Sequence, residues 1–308
     1  MSTAFLFPGQ GSQHVGMGLE LYQQSPAARA VFDQADAQLG FALSALCFEG
    51  PEEQLTDTIN QQPALFVASM AMWQAMGDPL GPEDSNWPEP AFVAGHSLGE
   101  FSALAAAGAL SFSDGLKLVR RRGEVMKAAG ARAPGAMAAI LALDVPAVES
   151  ICIQANELTG RPVQVANDNC PGQVVISGDE VALAKAMELA QAAGARKVVK
   201  LPITIAAHSS LMVSAAAEFA QMVDETPIQS PRVQVIANVT AEPVATPTAI
   251  REELKAQLTS AVAWTASINY LVQQGVDTFV EVGPGEVLLG LVKRVDRQAK
   301  RMKPKIGD

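Results

Sequence analysis

The sequence comprises 308 residues, of which 49% are hydrophobic and 18% are charged. This composition can supply a substantial buried core, so it excludes a globally disordered chain. The formal net charge of −10 argues against a general nucleic-acid binder. The length suits one large domain or two smaller ones.

Cysteine usage and the apolar runs indicate the compartment. Cys47, Cys152 and Cys170 form an odd, scattered set without C-x-x-C spacing, which favours a reducing cytoplasm and argues against a Cys/His metal site. No apolar run approaches the roughly 18 residues that a membrane span needs. The first residues also lack the basic start of a signal peptide. We therefore expect a cytoplasmic protein without a bound metal.

The N-terminal stretch predicts a buried strand followed by helices. Residues 4–7 are apolar and predict a strand, and residues 8–13 predict a tight loop whose glycines allow close backbone approach. The loop is either a plain connector or a means of placing Gln10 at a site, because parallel strands end at one edge of a sheet. Further predicted elements are helices over 18–38 and 63–76 and a proline-rich surface loop over 78–90.

A strand–turn–helix pattern at residues 91–110 predicts a nucleophilic serine. Residues 91–94 form an apolar strand, residues 95–99 match G-x-S-x-G, and residues 101–110 predict an Ala-rich helix. Glycines two places either side of Ser97 permit a sharp turn that lifts the hydroxyl clear of the sheet. The helix start then offers backbone N–H groups to a developing anion.

A predicted helix over residues 112–130, with Ser113 as its N-cap, carries three consecutive arginines. Helical phase places Arg122 within the apolar stripe, whereas Arg120 and Arg121 flank it. A guanidinium on the core side needs acceptors, because an unpaired buried charge is costly. Two interpretations follow: an internal ion pair or carbonyl clamp, or a fork for a substrate carboxylate.

The pattern changes to a βαββαβ order between residues 134 and 202. This order is typical of a ferredoxin-like unit. We therefore expect a small subdomain at 134–202 inserted into a core formed by 1–133 and 203–308, with a ligand cleft between them. The predicted elements are strands over 136–143, 163–166, 173–177 and 196–201 and helices over 145–158 and 180–193.

Three histidines are candidates for a general base. His96 adjoins Ser97 on a turn where neighbouring side chains diverge, and His14 lies beside the first loop. His208 is the remaining candidate, brought to Ser97 by folding. Further strands are predicted over 233–238 and 279–282. The tail at 293–305 holds seven basic residues and one acidic one, and is either a solvated end or a dock for an acidic partner.

Ordered motifs together resemble the malonyl-CoA:acyl carrier protein transacylases, a group of acyltransferases of fatty-acid and polyketide synthesis. The resemblance runs from residue 4 to about residue 294. It implies an α/β-hydrolase-like core with a parallel sheet plus an inserted ferredoxin-like (βαββαβ) subdomain. The motifs are FPGQGSQ at 7–13, GHSLGE at 95–100, RG at 122–123, NCPGQ at 169–173, HSSLM at 208–212, QL at 257–258 and EVGPG at 281–285.

The resemblance also implies a ping-pong transfer of malonyl from malonyl-CoA to acyl carrier protein. Ser97 would be the nucleophile and His208 the base, with no acidic third member. The implied oxyanion hole is formed by the backbone N–H groups of Gln10 and Leu98. No cofactor is implied, since the CoA thioester is a substrate, and no nucleic acid or membrane is involved. The implied substrate-binding residues are Arg122, Gln257, whose main-chain carbonyl orients the base, and Asn169.

Alternatives of other classes share part of this constellation. A serine hydrolase or thioesterase would use Ser97 and His208 and pass the acyl group to water. Arg122 on the inner face discriminates, because a hydrolase of hydrophobic esters has no use for it. A non-catalytic carrier-binding module would not need an intact serine, base and arginine. The small residues Ala206 and Ala207 before the base, where relatives often carry Ser or Phe, leave room for a polyketide-pathway acyltransferase with broader acyl choice.

Overall fold

Two β-sheets organise the fold, which a computed structural model describes for residues 2–80 and 87–305. In the larger sheet, the strands are parallel except for an antiparallel edge strand formed by Pro243–Val244. Its strands in spatial order are β10 (Lys300–Met302), β9 (Val276–Glu281), β1 (Ser2–Phe7), β2 (Phe92–Gly95), β7 (Gln234–Ile236) and β8 (Pro243–Val244).

The smaller sheet is antiparallel and lies in the middle of the chain. Its strands follow the spatial order β4, β5, β3, β6. The fold is therefore a mixed α/β arrangement with separate parallel-containing and antiparallel sheets. The strands are β3 (Gly135–Leu141), β4 (Val163–Cys170), β5 (Gln173–Asp179) and β6 (Lys197–Lys200).

Helices cover both faces of the larger sheet and one face of the smaller. In the described residues, none has the length and apolarity to span a membrane. In chain order the helices are α1 (Leu19–Gln24), α2 (Pro26–Leu39), α3 (Leu43–Glu49), α4 (Glu52–Thr56), α5 (Thr58–Ala75), α6 (Gly99–Ala106), α7 (Phe112–Arg132), α8 (Val145–Thr159), α9 (Glu180–Ala192), α10 (Val213–Glu225), α11 (Pro247–Ala256), α12 (Trp264–Gln273) and α13 (Val287–Val295).

Strand β1 shows why the larger sheet forms at the centre of the molecule. Phe5 and Phe7 point into the core beneath α5 and α7, whereas Ala4 and Leu6 point to the opposite core beneath α12 and α13. Successive side chains of a strand alternate between faces, so a continuous apolar run fits a strand that is buried on both sides. The strand therefore anchors the loop that follows it at the carboxyl edge of the sheet.

The two sheets meet along β4. The backbone N–H of Asp168 donates to the carbonyl of Val262 over 2.9 Å, and the N–H of Val262 donates to the carbonyl of Ala166 over 2.9 Å. This short parallel bridge ties the smaller sheet to the segment between α11 and α12. The other face of the smaller sheet has its own apolar core against α8 and α9.

Some predicted boundaries were wrong. The predicted helix 18–38 is two helices, because Ser25 accepts a capping bond from the Ala28 N–H and Pro26 starts a new first turn. Helix α7 is capped by Ser111, which accepts from the Asp114 N–H over 3.0 Å, and not by Ser113. Residues 81–86 of the predicted proline-rich loop lie outside the described residues.

The basic tail is in part an ordered edge of the larger sheet. Residues 300–302 form β10, which pairs in parallel with β9. The Lys303 ammonium then donates to the carbonyls of Gly283 and Gly285 in the loop after β9. Lys303 thus ties the tail to this loop, so the tail is not a freely solvated end.

Candidate active site

The candidate nucleophile stands on a strained turn at the carboxyl edge of the larger sheet. Ser97 has φ 51°, in the left-handed region that a serine rarely adopts. A Cβ atom on Gly95 would lie 1.9 Å from the carbonyl oxygen of Gly99, and one on Gly99 would lie 2.0 Å from that of Phe7. Both glycines are therefore required, because only a residue without a side chain fits so tight a crossing.

His208 is the histidine that folding places against Ser97. The Ser97 Oγ lies 2.8 Å from the His208 Nε2. The His208 Nδ1 lies 2.8 Å from the Gln257 carbonyl oxygen and 3.2 Å from that of Ser260. A carbonyl oxygen only accepts, so Nδ1 carries the proton and Nε2 is left to accept from the serine hydroxyl. Main-chain carbonyls therefore stand where a carboxylate stands in a Ser-His-Asp triad.

The environment keeps this imidazole neutral. Burial, reinforced by the positive charge of Arg122, lowers the pKa of His208 to about 3. A neutral imidazole at pH 7 is able to accept a proton from Ser97. His14, by contrast, lies exposed on the loop after β1, with its Nδ1 3.4 Å from the Ser12 carbonyl oxygen.

Arg122 is fully buried, as its helical phase predicted, while Arg120 and Arg121 are partly exposed and pair with Glu124. Its Nη1 donates to the Gln62 Oε1 over 3.0 Å. Its Nη2 donates to the Gln257 Oε1 over 2.9 Å and to the Ser97 Oγ over 3.1 Å. Among the described residues its hydrogen-bond acceptors are thus neutral oxygens, and its buried Nε has no hydrogen-bond partner.

These contacts leave the guanidinium charged and without a carboxylate in contact. Burial lowers the pKa of Arg122 to about 10, which the Glu100 carboxylate partly offsets, so the group stays a cation at pH 7. These contacts do not form an internal ion pair; they fit a clamp of amide carbonyl oxygens, and the unused Nε leaves donor capacity for a ligand carboxylate.

A buried polar network beneath the turn was missed at the sequence level. The Asn238 side chain accepts from the Ser97 N–H over 2.6 Å and donates to the Gly95 carbonyl over 2.7 Å. One Glu100 oxygen accepts from the Asn238 N–H over 3.0 Å, and the other accepts from the Gln257 side chain. The available signal was a polar residue at the carboxyl end of a predicted strand, where Asn238 follows β7.

Glu100 shares its buried position with a second acid. Glu253 accepts from the Val239 N–H over 2.9 Å. Burial, together with the charge of Glu253, raises the pKa of Glu100 well above its ordinary value, and burial likewise raises the pKa of Glu253. The network therefore braces the turn and fixes the amide of Gln257, so that its Oε1 faces Arg122.

The residues predicted for an oxyanion hole follow neighbouring strands. Gln10 follows β1 and Leu98 follows β2, and these strands pair in parallel with Phe7 opposite Gly95. The Gln10 side chain donates to Gln61 at the start of a groove of about 880 Å³ that extends to residues 201–205. Leu98 is buried and opens α6.

Asn169 is the predicted substrate-binding residue that does not reach Ser97 directly. Its Oδ1 lies 2.8 Å from the Nε2 of His96, whose ring packs edge-on against Trp264 at 5.4 Å. Burial lowers the pKa of His96, with the Asn169 hydrogen bond opposing this effect. His96 contacts Asn169 and Trp264, whereas the Ser97 Oγ contacts His208 and Arg122, so these neighbouring side chains have separate partners.

Comparison with known proteins identifies the family of this chain. A model of the acyl transferase domain matches residues 4–306, and the chain belongs to this family. A malonyl CoA-acyl carrier protein transacylase of Bacillus subtilis (strain 168) is 48% identical over 96% of this chain and 91% of that protein. The protein of the same description from Escherichia coli (strain K12) is 42% identical over 95% of this chain and 92% of its own.

Solved structures of transacylases superimpose on nearly the whole chain. The malonyl CoA-acyl carrier protein transacylase of Coxiella burnetii superimposes with a TM-score of 0.93 at 41% identity, covering 98% of this chain and 93% of its own. A malonyl-transacylase in complex with a type II polyketide acyl-carrier protein superimposes with a TM-score of 0.92 at 36% identity, covering 99% and 96%.

Proposed function

We propose that this chain transfers a malonyl group from malonyl-CoA to the phosphopantetheine thiol of acyl carrier protein, in fatty-acid biosynthesis. The observation that carries the proposal is the contact between Arg122 and Ser97. A buried cation lies 3.1 Å from a nucleophilic hydroxyl that also faces a neutral base. Such a site suits an acyl group that ends in a carboxylate, and malonyl is such a group.

The first half-reaction acylates the enzyme. The Ser97 oxygen attacks the thioester carbon while His208 Nε2 takes the hydroxyl proton. A tetrahedral oxyanion forms, and the backbone N–H groups of Gln10 and Leu98 are proposed to donate to it. The carbon–sulfur bond then breaks, and His208 returns the proton to the departing CoA thiolate. The products are a malonyl-serine ester and CoA.

The second half-reaction runs the same steps with a new nucleophile. The phosphopantetheine thiol gives its proton to His208 and attacks the ester carbon. The bond to the Ser97 oxygen breaks, and His208 returns the proton to the serine. Because the chain's own side chains carry every proton, the proposed reaction needs no cofactor.

Three residues are proposed to position substrate and base. Arg122 forms two N–H···O bonds with the malonyl carboxylate, which replaces the serine hydroxyl as its acceptor. Gln257 orients His208 with its carbonyl and Arg122 with its side chain, which matches their contacts at 2.8 Å and 2.9 Å. Asn169 serves as a further polar contact for the substrate on the His96 side of the turn.

We also propose that the chain forms an α/β-hydrolase-like core of residues 1–133 and 203–308 with a ferredoxin-like subdomain at 134–202. The element order β3-α8-β4-β5-α9-β6 and its antiparallel sheet support this description. A cytoplasmic location is supported by three cysteines that are all free and buried.

A second candidate function is acyl transfer with a broader choice of acyl group in polyketide synthesis. Ala206 and Ala207 are buried directly before the base, and their side chains are smaller than the Ser or Phe that relatives often carry there. A hydrolase of hydrophobic esters is not supported, since an acyl group without a carboxylate gives the buried Arg122 no role.

Intact-mass measurement tests the proposed function. The protein is incubated with malonyl-CoA, methylmalonyl-CoA or acetyl-CoA and weighed before and after acyl carrier protein is added. We expect one malonyl adduct, absent from Ser97→Ala, that moves to the carrier. An adduct retained in Ser97→Ala, or one lost only to water, would refute the transfer. Comparable methylmalonyl labelling would favour the second candidate.

A further inference from the structure

Gln164 joins the smaller sheet to both the candidate base and the segment that orients it. It lies on β4, where Val163 and Val165 face the separate core under α8 and α9. Its side chain points the other way, toward the larger body. On the basis of the proposed function, we propose that Gln164 is a positioning residue that sets the geometry of His208 for proton transfer.

Both polar atoms of the Gln164 side-chain amide form hydrogen bonds. Its Nε2 donates to the His208 carbonyl over 3.2 Å and to the Thr259 carbonyl over 3.3 Å. Its Oε1 accepts from the Ser210 N–H over 3.0 Å. Reversing the amide would place nitrogen against an N–H and oxygen against two carbonyls. The three contacts therefore allow one orientation only.

The backbone of His208 needs such a restraint. Its φ of 57° lies in the left-handed region, which an ordinary side chain occupies only when its surroundings hold it there. Gln164 holds the backbone that directly follows the His208 Cα, at the carbonyl of His208 itself and at the N–H of Ser210. The direction of the imidazole depends on that backbone, because the side chain is attached to its Cα.

The same side chain holds the orienting segment. Thr259 lies between Gln257 and Ser260, whose carbonyl oxygens contact the His208 Nδ1 at 2.8 Å and 3.2 Å. The bridge between β4 and Val262 fixes the same segment three residues after Thr259. Gln164 thus sets the base and its acceptors relative to one another, without touching Ser97 or Arg122.

A positioning role predicts a particular pattern of defects. A displaced imidazole slows proton transfer from Ser97 to every acyl donor, since misplacement by about 1 Å can cost about 100-fold in rate. Recognition of the malonyl carboxylate stays with Arg122 and is unaffected. If Gln164 only stabilised the contact between the two sheets, its substitution would lower the stability of the protein and leave the reactivity of each folded molecule intact.

The test compares Gln164→Leu and Gln164→Glu with the control Asn156→Leu. Asn156 braces the start of β4 with the same two kinds of bond, to the Val163 carbonyl at 3.0 Å and N–H at 2.7 Å, but does not contact the base. Gln164→Glu keeps the side-chain shape and the acceptor for Ser210 while losing the donor, so it serves if the leucine variant does not fold.

The main readout is the rate of Ser97 labelling by a fluorophosphonate, which needs the base but no malonyl group. We expect Gln164→Leu and Gln164→Glu to lower this rate and kcat by about 10- to 100-fold. The KM for malonyl-CoA and the malonyl-to-acetyl preference should stay within about twofold. Asn156→Leu should lower the unfolding temperature while each folded molecule labels at the wild-type rate.

Two outcomes separate the inference from the function on which it rests. Wild-type labelling by folded Gln164 variants would overturn the positioning role, even if malonyl transfer is confirmed. Normal Ser97 labelling of the wild type without transfer to a carrier would refute the proposed function. In that case a slower label in the Gln164 variants would still support positioning of the base.

Discussion

The guanidinium of Arg122 donates to the hydroxyl of Ser97 over 3.1 Å, so the cation touches the nucleophile directly. Arg122 lies on α7, and Ser97 lies on the turn before α6. A carboxylate that replaces the serine as acceptor would therefore place its attached acyl carbon beside the serine oxygen. The same hydrogen bonds from Arg122 would therefore both recognise the acyl group and orient it.

Replacing Arg122 should separate malonyl from acetyl transfer. Arg122→Ala removes the donors for the malonyl carboxylate and should cost about 2–5 kcal/mol in kcat/KM for malonyl-CoA, as truncation of a desolvated charged pair does. Acetyl-CoA lacks the carboxylate, so its kcat/KM should change little. The quantity to measure is the ratio of kcat/KM for the two donors.

The neighbouring Arg121 supplies the matched control. It lies half-exposed on the same helix as Arg122 and pairs with Glu124 of that helix at 3.4 Å and with Glu218 of α10 at 3.8 Å. Exposed pairs contribute little, so Arg121→Ala should leave the ratio unchanged. An equal loss for both donors in Arg122→Ala would identify Arg122 as a structural residue.

The carrier protein should dock through exposed basic residues of the tail. Carrier proteins of this pathway are expected to be acidic, and this chain carries a net charge of −10, so attraction must be local. Lys293 and Arg297 are exposed, whereas Lys303 is bound to the loop after β9. Lys293→Glu with Arg297→Glu should raise the KM for the carrier and leave that for malonyl-CoA unchanged.

Salt and a remote charge reversal check the docking prediction. The defect should shrink at high ionic strength, because screening weakens attraction between exposed charges. Lys117→Glu reverses an exposed charge on α7, outside the tail, and should leave the carrier KM at the wild-type value. Unchanged carrier kinetics in the double variant at low salt would remove the tail from the docking surface.

The parts of the site that could be predicted from sequence are those with a local cause. The serine turn follows from its flanking glycines, since both crossings are sterically closed to any other residue. The burial of Arg122 follows from helical phase. The break between α1 and α2 also had a local signal, Ser25 followed by Pro26, which the predicted helix over 18–38 did not take into account.

The supporting contacts could not be predicted, because distant parts of the chain make them. Asn238 meets Ser97 only because β7 pairs with β2 in a particular register. Gln62 meets Arg122 only because α5 packs against α7. Gln164 meets His208 only because β4 bridges to the segment at Val262. A polar residue in one sequence does not reveal which distant backbone it will contact.

The last prediction concerns the base, whose protonation Arg122 opposes. Burial is the main cause that lowers the pKa of His208 to about 3, and the charge of Arg122 is the second. Arg122→Met removes the charge and keeps an unbranched apolar chain. The pKa of His208 should then rise, while burial keeps it below its ordinary value of about 6.5.

Activity and stability should respond with definite signs. Proton acceptance needs neutral His208, so the acid limb of kcat/KM for acetyl-CoA should move to higher pH in Arg122→Met and stay in place in Arg121→Met. The unfolded chain protonates this histidine below about pH 6.5 and the folded wild type only near 3. Between these two pH values the unfolded chain binds the extra proton. The free energy of unfolding therefore falls progressively as the pH drops from about 6.5 toward 3. In Arg122→Met the smaller pKa difference should make that loss smaller. Unfolding free energies of the wild type and Arg122→Met, measured across this pH range, check this expectation. An equal loss in the two proteins, or an acid limb that stays fixed or moves to lower pH in Arg122→Met, would contradict the coupling between these two residues.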